Sequence, residues 1–87
     1  MPLSADDCAE LRGILQGKAI GYRYSEVARW LAKAGFRPPS KPRGTHRAWR
    51  HPSKRMVPLV EKGKGELLPA YTKKAIERIM EVGACPE

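Results

Sequence analysis

The sequence predicts a small α+β domain in which two helices, three strands and a last helix follow one another along the chain. Apolar residues recur at helical spacing in the first third and in the last third of the chain, while the middle holds proline-rich and alternating segments typical of strands. A length of 87 residues fits one domain with a core of about two layers. We therefore expect the helices to pack against an antiparallel sheet.

The first helix is expected at about residues 5 to 16. Ser4 can cap its free amide groups, and Asp6 and Asp7 place negative charge on its first turn. Gly17 fits the end of the helix.

Residues 18–24 have no clear period and are expected to form an ordered connection. Ser25 would cap a second helix that ends at Gly35. Trp30 lies in the apolar stripe of this helix, and we interpret it as a core residue rather than a base-stacking one.

Three strands are expected next. Residues 36–43 contain three prolines, which remove hydrogen-bond donors and predict an edge or irregular strand. A better strand spans residues 44–51, and a short basic turn leads to a third strand at residues 56–60. Pro58 implies an edge position or a bulge there. The short connections favour an antiparallel arrangement.

A basic loop and a last helix complete the chain. The loop, residues 61–66, is expected to be mobile and able to fold over a phosphate backbone. Pro69 fits the first turn of the helix, and Gly83 ends it. The helices would cover one face of the sheet and leave the other face, or its rim, for a ligand. The buried stripe of the last helix is predicted to be Thr72, Ala75, Ile76, Ile79 and Met80.

The positive charge is concentrated in a basic block, residues 37–64. This block has nine basic residues and one acid, Glu61, and it accounts for the whole net charge of +8 because the other residues include eight of each sign. Such a block attracts a polyanion and raises its rate of encounter. Nucleic acid is the first candidate.

The N-terminal residues lack the pattern of a secretory signal, and no apolar run approaches the roughly 18 residues of a membrane span. We therefore expect a cytoplasmic protein with no membrane partner. In a reducing compartment Cys8 and Cys85 are not expected to form a disulfide, and they lack the spacing of a metal site. Cys8 is expected on the apolar face of the first helix.

His46 is the candidate catalytic residue, at the head of the second predicted strand after Gly44 and Thr45. Near neutral pH an imidazole can take a proton from a ribose 2′-hydroxyl or give one to a leaving 5′-oxygen. Nearby guanidinium groups stabilise charge on the phosphoryl oxygens. A two-metal nuclease needs several carboxylates close together, and the basic block has one. Two functions therefore remain compatible with these residues. One is metal-independent RNA cleavage, with no cofactor, and the other is plain RNA binding.

Strand alternation puts His46 and Arg50 on one face of this strand, and Arg47 and Trp49 on the other. We interpret Trp49 as facing the helices rather than stacking on a base. His51, before Pro52, is interpreted as a strand-end residue rather than a second catalyst.

The chain resembles the HicA family of bacterial toxins, small RNA-cleaving proteins of toxin-antitoxin pairs. The resemblance covers about residues 25 to 83 and depends on the order and spacing of short motifs. These motifs are Ala34-Gly35-Phe36, Lys41 to Arg43, Gly44-Thr45-His46, Arg50-His51-Pro52, Val57-Pro58, Lys62-Gly63-Lys64 and Leu67 to Gly83. Thr45 replaces the usual serine, and Leu59 and Val60 follow Pro58 where the family often has a histidine.

The resemblance implies a fold similar to the double-stranded RNA-binding domain, with a helix, three antiparallel strands and a helix. The chain would be one domain over residues 1–87, with an N-terminal helix and connection at 1–24 and the core at 25–83. The implied function is an mRNA interferase that blocks translation, with His46 as general acid or base and a HicB-type antitoxin as partner. The residues expected to contact RNA phosphates or to orient the reacting groups are Lys41, Arg43, Thr45, Arg47, Arg50, Lys54, Lys62 and Lys64. A non-catalytic RNA-binding module is the alternative, and a component whose basic face docks an acidic protein is a third reading.

Overall fold

The computed structural model describes residues 3–17, 21–39, 46–53, 55–62 and 65–85, with residues 46, 61 and 62 described through their backbone. These residues form a small α+β domain, as predicted. Its helices are α1 (Ala5–Gln16), α2 (Tyr24–Lys33) and α3 (Pro69–Glu81), and its strands are β1 (His46–Arg50), β2 (Met56–Lys62) and β3 (Glu66–Leu67). None of the described helices is long and apolar enough to cross a membrane.

Helix α1 has the predicted bounds. The Ser4 hydroxyl accepts a hydrogen bond from the Asp7 amide at 3.0 Å, and the Ser4 amide donates to the Asp7 carboxylate at 3.1 Å. This reciprocal capping box satisfies two amide groups that the helix itself leaves free. Gly17 follows the last turn as expected.

Helix α2 begins one residue before the predicted cap, so the prediction for Ser25 is wrong. Arg23 is the residue that precedes the helix, and its amide donates to the Glu26 carboxylate at 3.2 Å. The Tyr24 amide donates to the Gly65 carbonyl at 2.7 Å. The start of α2 is therefore fixed by contact with the turn before β3, which lies far along the chain.

Strands β1 and β2 form an antiparallel pair, in which His46 lies opposite Val60 and Arg50 lies opposite Met56. The short β3 pairs with the far end of β2, at residues 61 and 62. The expected mobile loop at residues 61–66 is therefore wrong at both ends, because residues 61–62 belong to β2 and residue 66 belongs to β3.

In the described part of the strand predicted at residues 36–43, which is residues 36–39, the structure has one bridge, between Arg37 and Arg50. In this register Pro39 falls opposite Ala48, and a proline has no amide proton to donate to the Ala48 carbonyl. Residues 40–43 lie outside the described part of the chain.

Pro58 occupies the edge position that its chemistry requires. The Arg50 amide and carbonyl bind Arg37, so they point away from β2. Backbone groups alternate along a strand, and Pro58, opposite Ala48, therefore has its nitrogen directed away from β1. Among the described residues β3 pairs with β2 only beyond this point, so no ladder bond is lost.

One face of the β1–β2 pair packs against α3, and the helices enclose the core. Trp30 is fully buried, which confirms its interpretation as a core residue. The predicted stripe of α3 is also confirmed, since Thr72, Ala75, Ile76 and Ile79 are buried and Met80 is partly buried. The buried core residues are Cys8, Leu11, Ile14, Val27, Trp30, Leu31, Phe36, Trp49, Val57, Leu59, Leu67, Ala75, Ile76, Ile79 and Cys85.

Cys8 and Cys85 form a disulfide, so the expectation that they are unbonded is wrong. Cys8 lies on the buried face of α1, as expected, and α1 packs on α3. That packing brings the start of the chain to the segment after α3, with the two Cα atoms 5.6 Å apart. Sequence spacing could not show this contact, because the two cysteines are separated by 77 positions.

Candidate nucleic-acid interface

The two faces of the β1–β2 pair differ in chemistry. Trp49, Val57 and Leu59 are buried on the inner face, which confirms the predicted direction of Trp49. On the outer face Arg50 is exposed and Met56 is 47% exposed. His46 and Arg50 are four residues apart in β1, so their strand positions lie on the same face of the sheet. Among the described residues, the outer face is therefore exposed at the end that carries Arg50 and Met56, and this end has a cation.

Arg47 lies on the other side of β1 from Arg50. Its guanidinium carbon is 4.8 Å from the centre of the Tyr24 ring, within the range of a cation–π contact. The Tyr24 hydroxyl in turn accepts a hydrogen bond from Trp49 Nε1 at 2.9 Å. The structure thus confirms the predicted placement of Arg47 and Arg50 on opposite faces of the strand, and it brings Arg47 to helix α2.

Arg37 and Arg50 lie directly opposite each other. The Arg37 amide donates to the Arg50 carbonyl at 2.7 Å, and the Arg50 amide donates to the Arg37 carbonyl at 3.0 Å. Directly opposed residues of an antiparallel pair project from the same face, and both side chains are exposed. No carboxylate among the described residues forms an ion pair with either one.

Arg37 is absent from the residues predicted for the site. One sequence feature could have indicated it: Arg37 lies in the irregular strand predicted at residues 36–43, next to prolines. The pairing register of such a segment cannot be predicted from its residues, because its three prolines interrupt the alternation that normally sets the register.

Phe36 and His51 form the next pair in the same register. Their ring centres are 4.9 Å apart, and Phe36 is buried. The Ser53 amide donates to His51 Nδ1 at 3.1 Å, and the His51 amide donates to the Arg55 carbonyl at 2.9 Å. These contacts support the interpretation of His51 as a strand-end residue that holds the turn between β1 and β2.

Arg55 differs from the arginine pair because it forms an ion pair with a carboxylate. Its Nε lies 3.1 Å from Glu81, which also contacts Arg78 at 2.7 Å. Hydrogen bonds from Arg78, and then from Arg55, lower the pKa of the Glu81 carboxyl below its usual value. Within the described part of the basic block, Arg37 and Arg50 are exposed arginines that form no ion pair with a described carboxylate.

Several predicted site residues lie outside the described part of the chain, namely Lys41, Arg43, Thr45, Lys54 and Lys64. Lys62, like His46, is described through its backbone, at the end of β2. Among the described residues no group of three or more histidine, cysteine or acidic side chains is arranged to hold a metal ion.

Comparison of the chain with protein-family models, curated proteins and solved structures finds no match. The resemblance to HicA toxins therefore rests on the sequence motifs. In the structure, Gly35 and Phe36 follow α2 and lead to the Arg37 bridge, while Val57 and Pro58 lie in the middle of β2. The chemistry of the outer sheet face is the basis for a proposal about function.

Proposed function

We propose that this protein is the toxin of a type II toxin-antitoxin pair, a metal-independent RNA endonuclease of the HicA kind that cleaves mRNA in the cytoplasm. One observation carries the proposal. The β1–β2 pair has one face against the core and one outer face, and the strand position of His46 lies on the same outer face as the exposed Arg50. A proton-transfer group and a guanidinium on one open basic face are what RNA cleavage requires.

In this reaction His46 acts as general base or general acid. As base it takes the proton of a ribose 2′-hydroxyl, and the 2′-oxygen attacks the adjacent phosphorus. The bond from phosphorus to the 5′-oxygen breaks, and that oxygen receives a proton from water. The products are a 2′,3′-cyclic phosphate and a free 5′-hydroxyl.

The cations of the basic block bind the RNA and stabilise the negative charge that grows on the phosphoryl oxygens. Arg50 serves on the open face, and Lys41 and Arg43 precede His46 in the chain. The hydroxyl of Thr45 orients His46 or the reacting phosphate. Lys54, Lys62 and Lys64 extend the contact with the backbone of the RNA.

The proposed fold is the double-stranded-RNA-binding type over residues 25–83, formed by α2, the strands and α3. The proposed partner is a HicB-type antitoxin that covers the open face. Exposed Met56 and Pro58 offer it apolar contacts beside the arginines. Such a partner would block access of RNA to His46.

A non-catalytic RNA-binding module is the second candidate. One observation favours it: Val60, which cannot transfer protons, lies directly opposite His46. In that case the basic block only follows phosphates, and replacement of Arg50 would lower RNA affinity and its salt dependence while RNA stays intact.

The test is cleavage of a long single-stranded RNA by purified protein in excess chelator. The variants are His46→Ala and, as a matched control, His51→Asn, whose side-chain oxygen can still accept the Ser53 amide. Circular dichroism and thermal unfolding establish that each variant folds. Cleavage by the wild type and by His51→Asn, but not by His46→Ala, is the expected result.

Equal cleavage by His46→Ala would show that the catalytic assignment is wrong. RNA binding without cleavage by any of the proteins would favour the second candidate. The chemical ends of the products give an independent readout, because attack by the 2′-hydroxyl must leave a cyclic phosphate.

A further inference from the structure

We propose that Arg37 and Arg50 together bind one phosphate group of the RNA backbone. The inference rests on the proposed function, which supplies RNA as the ligand, and it adds a binding residue, Arg37. The two arginines are 13 positions apart in the sequence and become neighbours through the bridge next to β1.

The geometry of the bridge suits a shared anion. A hydrogen-bonded antiparallel pair has Cα atoms about 5.5 Å apart and projects both side chains from one face. Both residues are exposed, and two arginine side chains that project from one face at this spacing can reach the same phosphate. Arginine donates two parallel hydrogen bonds to phosphate oxygens, so the pair can contact several oxygens of one group.

The electrostatics also favour an anion between the two side chains. Like charges directly opposite each other in an antiparallel pair destabilise it. Arg55 forms an ion pair with Glu81, whereas no described carboxylate is paired with Arg37 or Arg50. A bound phosphate would replace this repulsion with two attractions.

The backbone of the site is held in place before any ligand binds. Two mutual hydrogen bonds join Arg37 to Arg50, and the Phe36 and His51 rings pack together on the opposite face of the same bridge. Pro38 and Pro39 fix the backbone just after Arg37. Binding therefore has to order little more than the two side chains, which limits its entropic cost.

The experiment measures binding of a fluorescent single-stranded DNA oligonucleotide by anisotropy over a series of salt concentrations. DNA has no 2′-hydroxyl, so nuclease activity cannot consume the probe. The proteins are wild type, Arg37→Gln, Arg50→Gln and the double variant. Arg29→Gln is the matched control, because Arg29 is an exposed arginine of α2 outside the basic block.

Each single variant is expected to lower affinity about tenfold at low salt. The double variant is expected to lose less than the product of the two single effects, and its salt slope should fall by about 0.7, the value for one phosphate on a single strand. Arg29→Gln should bind like the wild type. Arg37→Lys should keep the salt slope but lose affinity, because lysine lacks the bidentate geometry.

Wild-type affinity of Arg37→Gln would overturn the inference. A fall of about 1.4 in the salt slope of the double variant would also overturn it, because that value means that the two arginines contact two separate phosphates. Failure of the wild type to bind the oligonucleotide would overturn it as well. Failure of the nuclease proposal is a separate result: RNA would stay uncleaved while the arginine variants still lost DNA binding as expected.

Discussion

The indole nitrogen of Trp49 donates a hydrogen bond of 2.9 Å to the hydroxyl of Tyr24. This bond joins the inner face of β1 to the first turn of α2, and the Arg47 guanidinium lies over the same tyrosine ring. The strand that carries His46 and Arg50 is therefore held against a helix by a polar contact as well as by apolar packing.

Replacement of Tyr24 by phenylalanine tests this contact. The change leaves the largely buried Trp49 Nε1 without its acceptor, so the free energy of unfolding should fall by about 1–2 kcal/mol, as measured by urea denaturation. The control is a double-mutant cycle with Trp49→Phe, in which Tyr24→Phe should cost much less because no donor remains. Equal costs in both backgrounds would show that the hydrogen bond is unimportant.

Reduction of the Cys8–Cys85 disulfide should lower the free energy of unfolding by about 4 kcal/mol, because the bond closes a long loop, with a sequence separation of 77, in the unfolded chain. Thermal unfolding with and without a reductant measures the effect. In the Cys8→Ser, Cys85→Ser double variant the reductant should change nothing. A wild type that melts at the same temperature under both conditions would contradict the prediction.

Gly35→Ala should destabilise the protein by about 1–3 kcal/mol in urea denaturation. Gly35 has a φ of +97°, and an added Cβ would lie 3.3 Å from His51 Nε2. Gly65 offers a matched control, because its φ is +79° and nothing lies within 4 Å of an added Cβ. We expect Gly65→Ala to cost less. If the two variants cost the same, the His51 ring contributes nothing to the requirement for glycine.

Asp7 should make the stability of the protein sensitive to acid. The hydrogen bond from the Ser4 amide, followed by the Lys33 ammonium group, lowers the pKa of its carboxyl. A carboxyl with a lower pKa in the folded state stabilises that state above its unfolded pKa of about 4, and this contribution is lost as the pH falls through the folded value.

Asp7→Asn should therefore melt at a lower temperature than the wild type at pH 7, and the difference should shrink as the pH falls below about 4. Asp6→Asn, in the same helical turn, controls for the loss of a charge near the start of α1. A difference that stayed constant down to about pH 2 would mean that the effect of Asp7→Asn does not come from its ionised carboxylate.

Thr72→Val should raise the free energy of unfolding by about 1 kcal/mol. Thr72 is fully buried in α3, and its hydroxyl has no hydrogen-bond partner in the described structure. Valine keeps the shape and removes the unsatisfied group. Thr72→Ser keeps the hydroxyl and loses the methyl group, so it should be less stable than the wild type in the same denaturation experiment. A destabilised Thr72→Val would indicate that the hydroxyl has a partner after all.

The local features of this protein were readable from residue order. Ser4 and Asp7 predicted the start of α1, Gly17 and Gly35 marked where helices end, and the alternation of β1 separated Trp49 from Arg50. Each of these signals acts over a few residues, through a backbone hydrogen bond or the period of a helix or strand. The concentration of positive charge in residues 37–64 is evident from the sequence alone.

The predictions that were wrong concern contacts between distant segments. The Gly65 carbonyl, rather than Ser25, takes part in fixing the start of α2, and Cys8 reaches Cys85 because α1 packs on α3. The pairing of Arg37 with Arg50 likewise depends on a strand register that could not be predicted, because prolines interrupt the alternation of the segment. Local propensity therefore set the elements and their faces, whereas burial of those faces against one another determined which charged residues became neighbours.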